Sequence, residues 1–347
     1  MIERVATVGG SSICLDVDEH TQIGAARRSA VALGGAHNLG SDALARLAIV
    51  VTEAATNIVR HAGSGVIVLR SLVAGPAAAI EILALDKGPG IHDVARAMRD
   101  GYSTAGTAGD GLGAIQRLAD VFEIHSQRAV GTALLARVGE RQGQSAASLD
   151  DRVGVVCVAL RGQSACGDAW RVVVDRQRIS VMLVDGLGHG PEAAEAADAA
   201  MTAFPRLASS PPDIALVALD PALRETRGAA LSLVAIDEET RAIRFSGVGN
   251  VDGRILTDGP TQYLVPQNGI VGHGMPILRS TTASWPAGAR LVLHSDGILS
   301  RWRMDAYPGL RPKHPALLAG VLYRDFSRKQ DDVTVLVLDG VAAQELH

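Results

Sequence analysis

Glu53, Asn57 and His61 stand at i, i+4 and i+8, a spacing that sets three polar side chains on one face of a helix. An isolated helix carries such a face as solvated surface. Two downstream stretches favour a second reading, in which that face lines a ligand site. Asp86 closes the apolar run Ile80–Leu85 and opens Asp86-Lys87-Gly88-Pro89-Gly90-Ile91. A carboxylate at the end of a buried strand is costly without a partner, and glycines let the backbone turn sharply and approach a ligand. Gly106-Thr107-Ala108-Gly109-Asp110-Gly111-Leu112-Gly113 then leads into the helix-forming stretch Ala114–Val121. A glycine loop that opens a helix offers free N–H groups and a positive dipole end to phosphate. Taken singly, each piece is equally a plain turn.

A second group consists of aspartates at the edges of apolar runs. Asp168 follows Cys166-Gly167 and precedes Arg171–Val174. Asp185 ends Ile179–Val184 and opens Asp185-Gly186-Leu187-Gly188-His189-Gly190. Asp296 follows Arg290–His294 within Ser295-Asp296-Gly297, and Asp331-Asp332 precedes Val333–Leu338. One Asp-Gly is ordinary turn chemistry. Several at strand ends can converge on one rim of a sheet, where hard oxygen ligands suit Mg²⁺ or Mn²⁺ rather than zinc.

These residues need elements to hold them. Ser41 is a candidate N-cap for a helix to about His61, with Leu44, Leu47, Ala48, Val51, Ala55 and Ile58 as its apolar stripe. Strands are predicted at Val66–Leu72, Ile80–Leu85 and Val130–Val138, then at Val153–Leu160, Arg171–Val174, Ile179–Val184, Leu231–Ile236, Arg290–His294 and Val333–Leu338. Glu192–Phe204 is Ala-rich and predicted helical. Gly139–Asp150 is polar and small and reads as a linker. It separates a domain at 1–138 from one at 151–340. Ser209–Asp213, with two prolines, reads as a loop inside the second. The pattern is α+β in both halves, without regular βαβ alternation.

The whole chain has 347 residues, 47% hydrophobic and 20% charged, enough for two cores. Neither side of residue 138 carries an excess of Lys and Arg over Asp and Glu, and aromatics are only 3%. Phosphate neutralisation and base stacking are therefore disfavoured, and nucleic acid is not an expected partner. Cys14, Cys157 and Cys166 lack metal-site spacing and are odd in number. A disulfide framework and structural zinc are poor readings, and a reducing cytoplasm fits. No apolar run reaches the ~18 residues of a membrane span.

In order and spacing, E-x-x-x-N, D-x-G-x-G-I and G-x-G-L-G resemble the GHKL (Bergerat) ATP-binding fold of histidine kinases, gyrase and Hsp90-type proteins. With Met98–Thr104 and Gly111–Asp120, residues 10–138 resemble the RsbT-type switch kinases. The resemblance implies an α/β sandwich in which Asn57 holds Mg²⁺ on ATP and Asp86 accepts from the adenine amino group. Gly88 and Gly90 would pass under the nucleotide, and Gly111 and Gly113 would cradle its phosphates. Glu53 would be the catalytic base for an attacking hydroxyl. Residues 151–340, including Ser246-Gly247-Val248-Gly249-Asn250, resemble the SpoIIE/RsbX branch of PP2C-type phosphatases, an α-β-β-α sandwich. That likeness implies two Mn²⁺ or Mg²⁺ ions, with Asp185 bridging them at the catalytic centre, the Gly186 carbonyl as a ligand, and Asp168, Asp296 and Asp331 completing the site. Asp331 is preferred to Asp332 because it occupies the D-x-x-T position. The Arg-rich phosphate clamp of the eukaryotic phosphatases is not found. Together the resemblances imply a kinase fused to a phosphatase, acting on Ser or Thr of a STAS-domain antagonist protein upstream of a sigma factor or another output. The alternative is an anti-sigma-type binding module, regulated by ATP and fused to a phosphatase.

Overall fold

The structure, a computed structural model, describes residues 6–74, 77–98, 111–140 and 149–340. In chain order the elements begin with β1 (Ala6–Gly9), β2 (Ile13–Val17), α1 (His20–Ala36), α2 (Ser41–Asn57), β3 (Gly65–Ala74) and β4 (Ala77–Asp86). Next come α3 (Val94–Ala97), α4 (Gly111–Leu118), β5 (Val121–Gln127), β6 (Gly131–Gly139), α5 (Leu149–Arg152), β7 (Val153–Val158), β8 (Asp168–Asp175) and β9 (Arg178–Gly186). After them run α6 (Pro191–Ala203), α7 (Pro212–Leu223), β10 (Ala229–Asp237), β11 (Ala242–Val248), β12 (Asp252–Leu256) and β13 (Gln262–Leu264). The chain closes with β14 (Thr281–Ser284), β15 (Arg290–His294), α8 (Pro315–Phe326) and β16 (Val333–Asp339). The α+β expectation holds for both parts.

The compact units do not follow the two blocks of sequence. One comprises Ser12–Asp151 together with Arg303–Asp325. The other takes the residues up to Ser11, Arg152–Trp302 and those from Phe326 on. The physical reason is strand and face completion. β1 pairs with β8, Ala6 opposite Val174 through Gly9 opposite Arg171, and Trp170 Nε1 donates to the Gly10 carbonyl. Of the expected linker 139–150, Gly139 already ends β6 and Leu149 begins α5, while 141–148 lie outside the described residues.

The first unit has an antiparallel sheet ordered β2-β3-β4-β6-β5. Side chains alternate across it, as the pleat requires. Ile67, Leu69, Ile80 and Ile82 join Leu47, Val50, Val51 and Ala54 of α2 in one core. At Gly34 a Cβ would lie 2.9 Å from Leu44 and 3.1 Å from Leu47, so glycine lets α1 close on α2. Buried Arg46 then ties α2 to the end of α4, donating to the Leu118 carbonyl at 2.9 Å and to Asp120 at 3.0 Å.

The sheet's second face buries Leu83 and Leu85. Its cover is α8: a Cβ on Gly320 would lie 2.9 Å from Leu85 and 3.4 Å from Leu83. Three charges share this face, Arg70, Glu81 and Arg137, adjacent in register. Glu81 accepts from Arg70 Nε at 3.0 Å and from Arg137 Nε at 2.9 Å. Burial pushes the Glu81 carboxyl up, but the two guanidinium groups outweigh it and hold the group below its ordinary range. Arg137 continues to the Asp150 carbonyl, Asp151 and His314.

The second unit stacks two antiparallel sheets, β1-β8-β9-β10-β11-β14 and β13-β12-β15-β16-β7, in contact through β7, β8 and β16. α6 and α7 cover the larger sheet, with Ala196, Ala200, Leu216 and Leu219 against Met182, Val184, Leu231 and Leu233.

Three local expectations are corrected. Ser41 does not cap α2: Gly40 is the N-cap, and Asp42 supplies the acidic group of the first turn. The helix does not run on to His61 in α geometry. It passes into a π-turn over Ile58–Ala62, so His61 is not simply two α turns from Glu53. Ser209–Asp213 is only partly loop, since Pro211 is the N-cap of α7 and Pro212 its first residue, where a missing N–H costs nothing.

Glu81→Gln would leave two buried guanidinium groups short of charge. Urea denaturation should show a loss of about 3–5 kcal/mol. A loss within error of zero would mean that solvent reaches this face.

Candidate functional sites

The end of β4 and one face of α2 form the first site. A cavity of about 960 Å³ is lined by Glu53, Asn57, His61, Asp86, Gly90 and Gly111 among others. Gly88 N–H donates to Asp86 Oδ1 at 2.8 Å and Thr132 N–H does so at 3.2 Å. Burial raises the Asp86 carboxyl, opposed by these two N–H groups and by Arg324. Arg324 also donates to the Asp86 carbonyl at 3.2 Å and pairs with Asp325 through two bonds. A helix from late in the sequence therefore braces the strand end.

Two glycines here are steric necessities. A Cβ on Gly88 would lie 2.6 Å from that of Ala62, and one on Gly90, at φ +71°, would run into the Gln127 carbonyl. Gly111 begins α4 facing α2: a Cβ there would sit 3.2 Å from Glu53 Oε2 and 3.4 Å from Asn57 Oδ1. Gly113, two residues on, is buried. The Asn57 amide nitrogen is buried with no hydrogen-bond partner. An orphaned amide N–H donor beside a glycine-opened helix N-terminus fits a ligand that carries phosphate oxygens. His61 lines the same cavity, its pKa lowered by burial and by Arg60. The stretches Arg99–Thr104 and Gly106–Asp110 of the predicted loop lie outside the described residues.

The second site is a rim of strand ends. Asp168 on β8 and Asp185 on β9 are opposed in register, and Gly186 N–H donates to the Gly167 carbonyl at 3.0 Å. Gly186 must be glycine because a Cβ would strike the Ala193 carbonyl of α6. Ser295 Oγ donates to Asp168 Oδ2 at 2.6 Å and accepts from Thr334 N–H at 2.9 Å. Asn250 Nδ2 donates to Asp296 Oδ2 at 2.8 Å. Burial and the neighbouring charges of Asp168, Asp296 and Asp331 push Asp185 up to about 9. Asp168 is raised by burial and Asp296 by burial and Asp331.

Such a crowd of carboxylates is what bound cations neutralise. Among the described residues, no group of three or more such side chains is tight enough to hold an ion unaided. Carboxylate and carbonyl oxygens are nonetheless the donors that hard divalent ions prefer. The donor set therefore fits hard divalent ions, with Asp168, Asp185, the Gly186 carbonyl, Asp296 and Asp331 as candidate ligands.

The two adjacent aspartates are built differently. Asp332 is buried, and its oxygens accept from Leu160 N–H at 2.6 Å and Gly167 N–H at 2.7 Å. It clamps the loop before Asp168. Asp331 is the one whose charge acts on both Asp185 and Asp296. Sequence reasoning passed over Ser295, Asp332 and the side chain of Asn250 as supports. Their signal was adjacency to the quoted motifs.

Residues 17–138 match the family described as histidine kinase-like ATPase domain, and residues 175–340 match stage II sporulation protein E, SpoIIE. Over 123 residues the chain is 33% identical to the serine/threonine-protein kinase RsbT of Bacillus subtilis (strain 168), covering 35% of this chain and 92% of RsbT. The chain joins a histidine kinase-like ATPase domain to a SpoIIE domain. It is also 28% identical over 140 residues to the phosphoserine phosphatase RsbX of the same organism, covering 40% of this chain and 69% of RsbX. A solved structure described as "The bacterial stressosome: a modular system that has been adapted to control secondary messenger signaling" is 30% identical. It covers 54% of this chain and 97% of that one, with a TM-score of 0.51. The architecture is thus a GHKL-like domain with a PP2C-like fold. Among the described residues, no helix is long and apolar enough to cross a membrane.

The raised Asp185 carboxyl fixes a sign. In metal-free protein it binds more protons folded than unfolded between pH ~4, the unfolded value, and about 9. Stability in chelator should therefore fall as pH rises through that window. Asp185→Asn should make the fall shallower. Thermal melts in chelator across this range check it; parallel profiles for the two proteins would refute the assignment.

Proposed function

We propose that the chain writes and erases one mark. The histidine kinase-like unit phosphorylates a Ser or Thr of a STAS-domain antagonist protein with ATP, and the SpoIIE unit hydrolyses the phosphoserine or phosphothreonine of the same class of partner, in the cytoplasm. A sigma factor or another switch output responds indirectly.

The observation that carries the kinase reading is the placement of Glu53 and Asn57 against Gly111 at the mouth of α4. Phosphoryl transfer needs positioning and charge neutralisation more than covalent help. Asn57 would orient the nucleotide's Mg²⁺, Asp86 would accept from the adenine amino group, and Gly111 and Gly113 would present N–H groups to the phosphates. Glu53 would take the proton of the incoming hydroxyl. A module that only sequesters a partner has no use for that carboxylate. Bound ATP–Mg²⁺ supplies the transferable phosphoryl group.

On the phosphatase side, two Mn²⁺ or Mg²⁺ ions supply Lewis-acid neutralisation of the phosphoryl oxygens. Asp185 would bridge them, and Asp168, Asp296, Asp331 and the Gly186 carbonyl would complete the set. Ser295 and Asn250 orient Asp168 and Asp296, the outer support on which a metal site depends. No cysteine nucleophile is required.

The test incubates the full chain with a candidate STAS partner, ATP and Mn²⁺ and follows phosphoserine by mass. Asp185→Asn should drive the partner to high occupancy, and Glu53→Gln should leave it bare while nucleotide still binds. Binding without transfer in the wild type would favour the sequestering module. Modification of two different residues by the two halves would refute the shared substrate.

A further inference from the structure

Two of the three cysteines have come together where neither proposed chemistry needs them. Cys157 lies on β7, buried and opposite Thr334 of β16. Cys166 is half-buried, two residues before Asp168. Their Sγ atoms are 4.0 Å apart, and Cys157 Sγ also faces the Asp168 carbonyl at 3.7 Å. Cys14 belongs to the other unit, where it meets the Tyr323 hydroxyl at 3.3 Å.

We propose that Cys157 and Cys166 form an oxidisable dithiol whose disulfide loosens the divalent-cation site. The consequence for catalysis rests on the phosphatase reading above; the dithiol itself does not. The oxidant is a hydroperoxide. One sulfur of the pair attacks the peroxide O–O bond, becoming a sulfenic acid as water or an alcohol leaves. The other sulfur then attacks the sulfenic sulfur, the S–S bond forms, and its oxygen leaves as water. Two thiol hydrogens and two electrons are lost, and one peroxide bond is reduced.

Closing the bond requires the sulfurs to approach from 4.0 Å to about 2 Å. β7 is held by its ladder to β16, so the shift falls on the segment between Val158 and Asp168. That segment is where the metal rim is pinned. Gly167 N–H is bound by Asp332, Gly186 N–H is bound by the Gly167 carbonyl, and Leu160 N–H is bound by Asp332. Pulling on Cys166 disturbs Asp168 and Gly186 together. Disturbing such outer contacts typically weakens a metal by about 10–100-fold.

The experiment treats the intact chain with hydrogen peroxide, alkylates remaining thiols under denaturing conditions and maps peptides by mass. The expected product is a Cys157–Cys166 linked pair short of two hydrogens, with Cys14 still alkylated. Calorimetric titration with Mn²⁺ alone should show affinity at least about tenfold weaker in the oxidised protein, restored by dithiothreitol. Cys166→Ser should bind Mn²⁺ as the reduced wild type does, and peroxide should leave that binding unchanged. If Cys157→Ser does not fold, Cys166→Ser alone carries the control. Both thiols remaining alkylatable, or a linked pair with unchanged Mn²⁺ affinity, would overturn the proposal. A reversible loss of Mn²⁺ affinity in a chain that hydrolyses no phosphoprotein when reduced would support the dithiol and sink the phosphatase reading instead.

Discussion

A sheet has two faces, and the sheet of the histidine kinase-like unit buries its second one with a helix made after β15. Leu83 and Leu85 lie beneath α8, with Gly320 at the closest approach. The same face carries Glu81 between Arg70 and Arg137, a buried charge set that holds only while every partner is present. Arg137 in turn reaches Asp151 and His314, on either side of the SpoIIE strands in sequence. Asp86 inherits this dependence, because Arg324 binds its carbonyl while locked to Asp325.

Both sites use one construction. A strand buried on both faces delivers a carboxylate to its end, and a glycine within two residues turns the backbone out of the sheet: Asp86 with Gly88, Asp185 with Gly186, Asp296 with Gly297. The strand supplies rigidity and the burial that raises the carboxyl. The glycine admits a neighbour no side chain could tolerate, Ala62 at Gly88 and Ala193 at Gly186. The sites part in how the strain is relieved. Asp86 is satisfied by two backbone N–H groups and can stay unmetallated. Asp185 faces three other carboxylates and calls for cations.

That shared construction is why the strand ends that carry these aspartates were legible in the sequence. Apolar runs ending in Asp and Gly mark strand ends whatever the tertiary fold, and β15 falls on the predicted Arg290–His294. The choice of Asp331 over Asp332 rested on a motif position, and the hydrogen bonds of Asp332 supply a physical reason for it. Other features were not local and left no signal. β1 is a short run that, among the described residues, pairs with β8 alone. Over residues 315–322 α8 is apolar all round, so that pattern cannot say which sheet it covers. The π-turn at Ile58–Ala62 widens a helix by one backbone bond, a change invisible to side-chain spacing.

The path of the chain changes what fusion means here. Two domains on a single linker are separable in principle, each folding on local contacts. In this chain, β1 is made first yet completes the second unit, and α8 is made near the end yet completes the first. The contacts that close each unit therefore span much of the sequence, and such contacts must bear loop-closure entropy before they return any stability. Neither unit can be finished until the other's strands have been laid down. Asp296 and Asp331 are themselves separated in sequence by the segment that completes the histidine kinase-like unit. The contacts that close both units are thus long in sequence, α8 reaching back to β4 in one and β8 reaching back to β1 in the other.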